Sequence, residues 1–326
     1  MKTKTVIELF AGAGGLALGL EEAGLQAIML VDNDKNCCAT LKYNRPEWNV
    51  VCKDIHLVDF RGMKADVVTG GFPCQAFSHA GKKLGFEDTR GTLFFEFARC
   101  VKEVNPPMFV AENVEGLTRH DKGRTMEVIL GVMAELGYEV QHKVLNALDY
   151  SVPQKRKRVF IVGTKHGIHF KFPEPHGKVV TLREALKSVP SSEGAIYSPS
   201  RKAVLNLVPP GGCWVNLPDD IAKKYMGASY TSGGGRRGMA RRLSWGEPCL
   251  TLTTSPSQKF TERCHPDETR PFTVREYARI QTFPDKWNFY GSVHSKYRQI
   301  GNAVPFNLAR AMGESIVTAL HEHYKN

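Results

Sequence analysis

Cys74 lies in the run Gly70-Gly-Phe-Pro-Cys-Gln-Ala-Phe-Ser78. The run follows an apolar stretch, Ala65–Thr69, that reads as a strand. Glycine and proline therefore shape a turn at a strand's carboxyl end, where open α/β sheets hold ligands and reactive groups. A structural cysteine would sit within an apolar run, whereas this one can serve as a nucleophile once nearby positive charge favours its thiolate. Glu112 opens a Glu-Asn-Val segment that ends another strand-like run, beginning at Met108. If the two strands are neighbours, the carboxylate stands beside Cys74. In a dry pocket it would hold a proton and could donate it, while as a capping acid it would do neither. Gln154-Lys-Arg-Lys-Arg158 adds four consecutive cations. On an extended segment Arg156 and Arg158 share one side, and Lys155 and Lys157 the other. One pair can enter a site while the other faces solvent or phosphate, and a guanidinium fork suits a carbonyl oxygen or phosphate.

A second cluster is a glycine turn. Phe10-Ala-Gly-Ala-Gly-Gly-Leu16 follows the strand-like Thr5–Phe10, and Gly12, Gly14 and Ala17 satisfy G-x-G-x-x-A. Asp32 lies 20 residues after Gly12, at the end of the next apolar run. Glycines admit a ligand close to the backbone, and an acid at that spacing accepts from ribose hydroxyls, so NAD, FAD and S-adenosylmethionine all fit. Asp54, ending a third strand, can accept from an adenine amino group or cap the turn that begins at Ile55.

These residues need a frame that brings them to one edge. Strand-like and helix-like segments alternate through the first 165 residues or so, as βαβ units do. The strand-like runs are Thr5–Phe10, Gln26–Val31, Val50–Lys53, Ala65–Thr69, Met108–Ala111, Val140–Leu145 and Arg158–Gly163. The expected fold is α/β, a doubly wound, mostly parallel, Rossmann-like sheet with a smaller irregular domain. After about Pro173 the chain turns rich in Pro, Gly and Ser, and a loop-rich domain of short strands is expected there. Helical pattern returns at Thr273–Gln281 and Phe306–Tyr324.

The whole chain has 326 residues, with 42% apolar and 24% charged residues, as a globular protein does. No apolar run reaches spanning length. Glu8 interrupts the first apolar stretch, which argues against a secretory signal, and a cytoplasmic location is expected. The net charge is +11. Residues 1–150 hold 17 basic and 20 acidic residues, while residues 151–326 hold 27 and 13. The basic second half points to a polyanionic partner. None of the eight cysteines forms a C-x-x-C pair, so no zinc site of that spacing is expected and the thiols should be reduced.

FAGAGG, GGFPCQAFS, RGTLFF (90–95), ENV, QKRKR, REYARIQTFP (275–284) and QIGNAVP (299–305) occur in this order. Together they resemble the DNA (cytosine-5)-methyltransferase family, specifically the compact bacterial modification enzymes. The resemblance runs from Phe10 to Pro305, apart from about 175–270. It implies that Cys74 attacks C6 of a flipped cytosine, that Glu112 acts at N3, and that Arg158 holds O2 with Arg156 assisting. It also implies transfer of a methyl group to C5 from S-adenosyl-L-methionine, leaving S-adenosyl-L-homocysteine. Phe10, Gly12, Gly14, Leu16, Asp32, Asp54, Ile55, Pro73, Asn302 and Ala303 would contact that cofactor. Asp32 stands where the family more often has Glu, and Asn33 where it often has an apolar or aromatic residue. Gln75 and Ser78 belong to the loop that closes over the base. The segment near 175–270 takes the place of the target-recognition domain, with Arg236, Arg237, Arg241 and Arg242 as DNA contacts and Thr251-Leu-Thr-Thr254 as its short Thr-Leu element. The implied domains are 1–172 plus 290–326 for catalysis and 173–289 for recognition. Double-stranded DNA is the implied partner, a monomer the expected state, and a cognate restriction endonuclease a further partner. Two rivals are a tRNA cytosine-5 methyltransferase of the same fold and a nicotinamide-dependent oxidoreductase, which leaves PCQAFS and QKRKR unexplained. A catalytically silent DNA-binding protein is a third, opposed by the intact Cys74, Glu112 and Arg158.

Overall fold

The computed structural model describes residues 3–73, 92–231 and 238–325. The chain divides into two compact units. The first comprises Met1–Tyr150, Lys157–His176 and Val304–Asn326, and the second Ser151–Arg156 and Gly177–Ala303. The expected boundary at 290 therefore falls at 303/304, and a six-residue excursion at 151–156 leaves the first unit and returns.

The first unit is built on seven strands: β1 (Lys4–Leu9), β2 (Leu25–Asp32), β3 (Val50–Cys52), β4 (Val67–Gly70), β5 (Met108–Val114), β6 (Glu139–Asn146) and, after the two-residue β7 (Gln154–Lys155) of the second unit, β8 (Lys157–Thr164). Their order is β3-β2-β1-β4-β5-β8-β6. Only β8 is reversed, pairing antiparallel with both β5 and β6. The order turns back between β1 and β4, which pair in parallel with Leu9 beside Gly70. Such a switch point opens a crevice at the strands' carboxyl ends. The glycine turn after β1 and the segment carrying Pro73 after β4 both leave the sheet there.

Helices α1 (Gly15–Glu22), α2 (Lys35–Asn44), α3 (Leu93–Val104) and α4 (Arg124–Glu135) supply the crossovers. The face of α3 that carries Phe94, Phe97, Ala98, Cys100 and Val101 is buried. Phe97 meets Phe109 of β5 edge-on at 6.0 Å, and Phe109 meets Tyr138 edge-on at 5.1 Å. The second unit carries α5 (Leu182–Ala185), α6 (Pro199–Asn206), α7 (Asp219–Met226), α8 (Val274–Ile280) and α9 (Val293–Asn302), with β9 (Cys249–Leu250) pairing β7. Among the described residues this unit is loop-rich, as expected, but its regular elements are mostly short helices rather than strands. Proline misleads here: Pro199 occupies the first turn of α6 behind the Ser198 cap, a position where its missing N–H costs nothing. Among the described residues no helix is long and apolar enough to cross a membrane.

The last helix, α10 (Phe306–Lys325), returns to the first unit and packs on α1. The approach is close enough to exclude a side chain at Gly19. A Cβ there would lie 2.4 Å from Ala309 Cβ and 2.6 Å from the Arg310 nitrogen. Gly19→Leu should therefore destabilise the protein by about 1–3 kcal/mol, since backbone must move to admit it. The check is thermal unfolding followed by circular dichroism; an unchanged midpoint would show that the α1–α10 contact yields freely.

Candidate active site

The turn after β1 depends on backbone conformations that side chains resist. Gly12 and Gly14 have φ of 53° and 82°, in the left-handed region. Phe10 also has positive φ, 56°. Asp32 fastens this turn. One of its carboxylate oxygens accepts from Gly12 N–H at 2.8 Å, and the other from Asp34 N–H at 2.8 Å. Burial raises its pKa above the ordinary aspartate value. Leu16 is buried at the start of α1. Asp54 is exposed and caps the single 3-10 turn Ile55–Leu57, accepting from His56 N–H at 3.0 Å and meeting the His56 ring at 2.7 Å. The His56 side chain holds its pKa below the usual value. Ile55 is buried behind it.

Glu8 was read only as an interruption of the first apolar run. It is 2% exposed on β1, opposite Thr69 of β4. It accepts from the Ala17 N–H in the first turn of α1, and burial pushes its pKa up to about 8. Its Oε2 has no hydrogen-bond partner among the described residues.

On the other side of the switch point, Phe72 anchors the segment that leads to Cys74. Its ring is buried 5.4 Å from that of Phe94 and 5.9 Å from that of Phe97. Its carbonyl accepts from the Asn113 side chain at 2.7 Å. Pro73 is exposed. Gly71 leaves room for the acid: a Cβ there would stand 2.9 Å from Glu112 Oε2. Strands β4 and β5 are indeed neighbours, with Gly70 beside Ala111. Glu112 and Arg158 form an ion pair, Arg158 Nε to Glu112 Oε1 at 2.8 Å, with side chains 9% and 11% exposed. Burial lowers the Arg158 pKa and Glu112 opposes that shift. Opposite charge at this range favours the ionised carboxylate, and burial works against it.

Arg156 is placed differently from Arg158, contrary to the expectation that both serve one pocket. It is fully buried in the second unit and donates to the carbonyls of Leu252 at 3.0 Å, Gly301 at 2.7 Å and Ala303 at 3.1 Å. Gln154 joins the same network: its amide nitrogen donates to Gln281 Oε1 at 2.8 Å, and its oxygen accepts from Leu252 N–H at 2.9 Å. Gln281 donates in turn to the carbonyls of Ile300 and Ala303. Gln154, Arg156 and Gln281 thus form one buried fastening with the main chain of Leu252 and of Ile300–Ala303. Arg156 is a structural group because three backbone carbonyls occupy its guanidinium. Asn302 is exposed at the end of α9, and Ala303 is its buried cap.

Two of the expected DNA contacts are also otherwise engaged. Arg242 is 4% exposed and donates to the carbonyls of Val208, Leu205 and His265. Arg241 donates to the Gly211 carbonyl and pairs with Glu247 at 2.9 Å. A desolvated guanidinium surrounded by carbonyls is not available to phosphate, so Arg242 is corrected to a core residue of the second unit. Arg241 is committed to internal partners. Cys74, Gln75, Ser78, Arg236 and Arg237 lie outside the described residues.

Residues 4–318 match the family model of the C-5 cytosine-specific DNA methylases. The chain belongs to that family. Membership makes this DNA (cytosine-5)-methyltransferase similar to Type II methyltransferases. M.Eco47II of Escherichia coli is 59% identical over 97% of this chain and 79% of that protein. M.Sau96I of Staphylococcus aureus is 54% identical over 100% and 77%. Among solved structures, a prophage-encoded E. coli protein assigned as a DNA modification methyltransferase superposes with a TM-score of 0.72 at 25% identity, covering 98% of this chain and 99% of that one. The Dnmt2 methyltransferase of S. pombe shares the fold at a TM-score of 0.66 and 16% identity, covering all of both chains. The oxidoreductase reading ends with this membership.

Asn113, Gln281 and Glu8 are buried polar residues that the sequence reading passed over. All three stand inside quoted motifs or runs, where attention went to charged or nucleophilic neighbours. Two outcomes are expected of this methyltransferase. Arg156→Ala should lower the unfolding free energy of the second unit by on the order of 3 kcal/mol, because buried carbonyls lose their donors. Urea unfolding would reveal it, and a wild-type midpoint would count against the fastening. Glu8 has a folded pKa raised to about 8. The stability it lends is full below its unfolded pKa and is lost as pH rises towards 8, by up to about 1.4 kcal/mol per pH unit. Glu8→Gln, which mimics the protonated acid, should therefore gain on wild type between about pH 5 and pH 8. Parallel pH profiles for the two proteins would refute the buried proton.

Proposed function

We propose that this protein transfers the methyl group of S-adenosyl-L-methionine to C5 of a flipped-out cytosine in a short duplex DNA sequence, as the modification partner of a restriction endonuclease. The observation that carries the reading is the buried Glu112–Arg158 pair on β5 and β8, next to the anchored Phe72–Pro73 segment that leads directly into Cys74. Family membership and the basic second half support the same substrate.

The residues after β1 to β3 fit the cofactor. A turn bare of side chains at Gly12 and Gly14, a carboxylate at Asp32 and a buried, unpartnered Glu8 oxygen behind them suit a polar ligand carrying a ribose and a cationic tail. Phe10, Leu16, Asp54, Ile55, Pro73, Asn302 and Ala303 complete the set that the family resemblance assigns. When bound, S-adenosyl-L-methionine supplies an electrophilic methyl group.

The chain's own groups do the rest. C6 of a stacked cytosine is out of reach, so the base leaves the duplex at a cost of roughly a few kcal/mol. The Cys74 sulfur bonds to C6, and the electron pair of the C5–C6 double bond moves towards C5. Charge grows at N3 and O2 as the ring loses aromaticity. Glu112 serves N3 with a proton or hydrogen bond, and Arg158 holds O2 while keeping Glu112 oriented. After C5 is methylated its proton is lost to a base, the double bond re-forms, and the C6–S bond breaks to release Cys74. Lysines and arginines of the basic half meet the flanking phosphates. The family resemblance gives Gln75 and Ser78 to the loop over the base, and Arg236 and Arg237 remain the candidate DNA contacts of the glycine-rich sequence.

The test uses duplex DNA with 5-fluorocytosine at the target, once bisulfite sequencing of DNA from expressing cells has located the methylated site. Fluorine cannot depart as a proton, so a covalent complex linked through Cys74 should accumulate and Cys74→Ala should form none. An adduct on another cysteine, or none at all with wild type, would refute the mechanism.

A further inference from the structure

Two thiols meet beside the residues assigned to the nucleoside, apart from Cys74. Cys38 is buried in the first turn of α2, and Cys52 is exposed at the end of β3. Asp32 is the register partner of Cys52 across β2 and β3. The Asp32 carbonyl accepts from the Cys38 thiol at 3.4 Å and from the Lys53 N–H at 3.0 Å. The Cys38 and Cys52 thiols also hydrogen-bond each other. Two sulfurs from different elements therefore meet over one peptide group. One is open to solvent and the other sits behind it. An exposed thiol with a resolving neighbour is the arrangement of redox-sensing cysteines. In a reducing compartment such pairs cycle rather than persist as structural bridges.

We propose that Cys38 and Cys52 form a reversible disulfide that weakens cofactor binding, a proposal resting on the assignment of Asp32 and Asp54 to the nucleoside. The oxidant class is a small disulfide such as glutathione disulfide. The Cys52 thiolate attacks one of its sulfurs, the S–S bond breaks, and glutathione leaves as a thiolate that takes a proton from water. Cys38 gives up its proton to solvent and attacks the Cys52 sulfur, expelling the second glutathione. The two protein thiols lose two electrons, and the glutathione disulfide gains them. Burial and the neighbouring thiol hold Cys38 protonated, so the first step belongs to Cys52.

The consequence follows from geometry. A sulfur–sulfur bond of about 2.05 Å is far shorter than a thiol contact, so Cys52 must move towards α2. Lys53 and Asp54 follow Cys52 directly. The Asp32 carbonyl loses its S–H donor, and the same residue's carboxylate holds the Gly12 turn. Strain at one bond thus reaches both the ribose and adenine positions.

The experiment incubates the purified protein with glutathione disulfide and maps non-reduced peptides by mass spectrometry. Binding of S-adenosyl-L-methionine is measured by calorimetry before oxidation, after it, and after dithiothreitol. The expected result is a peptide pair linked through Cys38 and Cys52, with affinity down roughly tenfold or more and restored by the reductant. Cys38→Ser and Cys52→Ser should bind as wild type does and ignore the oxidant. Absence of the linked pair, linkage with unchanged affinity, or an equal loss of affinity in Cys52→Ser would overturn the proposal. Asp32→Ala, measured under reducing conditions, separates the two layers. Weakened binding there with no effect of oxidation overturns the switch alone, whereas unchanged binding overturns the nucleoside assignment and the coupling with it.

Discussion

Strand β8 runs against β5, and the register of that one antiparallel pair decides which charges can meet. Phe160 stands opposite Glu112 and Arg158 opposite Val114. The guanidinium is therefore one diagonal step from the carboxylate on the same face of the sheet, within reach of a long side chain. A slip of one residue would turn Arg158 to the other face and leave Glu112 buried without its partner. The register is held by burial on both faces: Val159, Phe160, Ile161 and Val162 are each at most 1% exposed. Moving Lys157 into that run would place an ammonium in apolar surroundings. The ion pair is exact because the strand beneath it has nowhere else to go.

The parallel part of the sheet was legible because its signals are local. Apolar runs of strand length, glycine stops and the G-x-G-x-x-A turn each announce themselves within a few residues, and α3 begins and ends where its pattern does. The fate of Arg156 was not legible. Its partners are carbonyls of Leu252, Gly301 and Ala303, and a carbonyl has no letter of its own in a sequence. Alternation along an extended segment put Arg156 and Arg158 on one side, but the chain passes from one compact unit to the other between Arg156 and Lys157. The alternation rule holds only within a single strand. Arg242 misled for the same reason, since basic residues near glycines suggest an exposed loop while its acceptors are again backbone.

Two polar residues on central strands went unused. Glu8 served only as a break in an apolar run, yet β1 is a central strand with neighbours on both sides. A carboxyl group in that position is held by one helix-terminal N–H and by keeping its proton. Asn113 was overshadowed by Glu112, although the hydrogen bond from its side-chain amide to the Phe72 carbonyl ties the strand bearing the acid to the segment that leads to Cys74. Both residues show how a central strand uses its outermost polar positions to hold the loops at its end.

The grip of Gln154, Arg156 and Gln281 on main-chain groups has a consequence for how such a protein diversifies. Leu252 is fastened by its own N–H and C=O, and Gly301 and Ala303 by their carbonyls. Every residue type offers the same acceptor. The stretch between Gly177 and Leu252 can therefore be rewritten, side chain by side chain, without touching the attachment that holds its far end. A latch that reads no side chains leaves the enclosed segment free to change its surface while its attachment stays as it was.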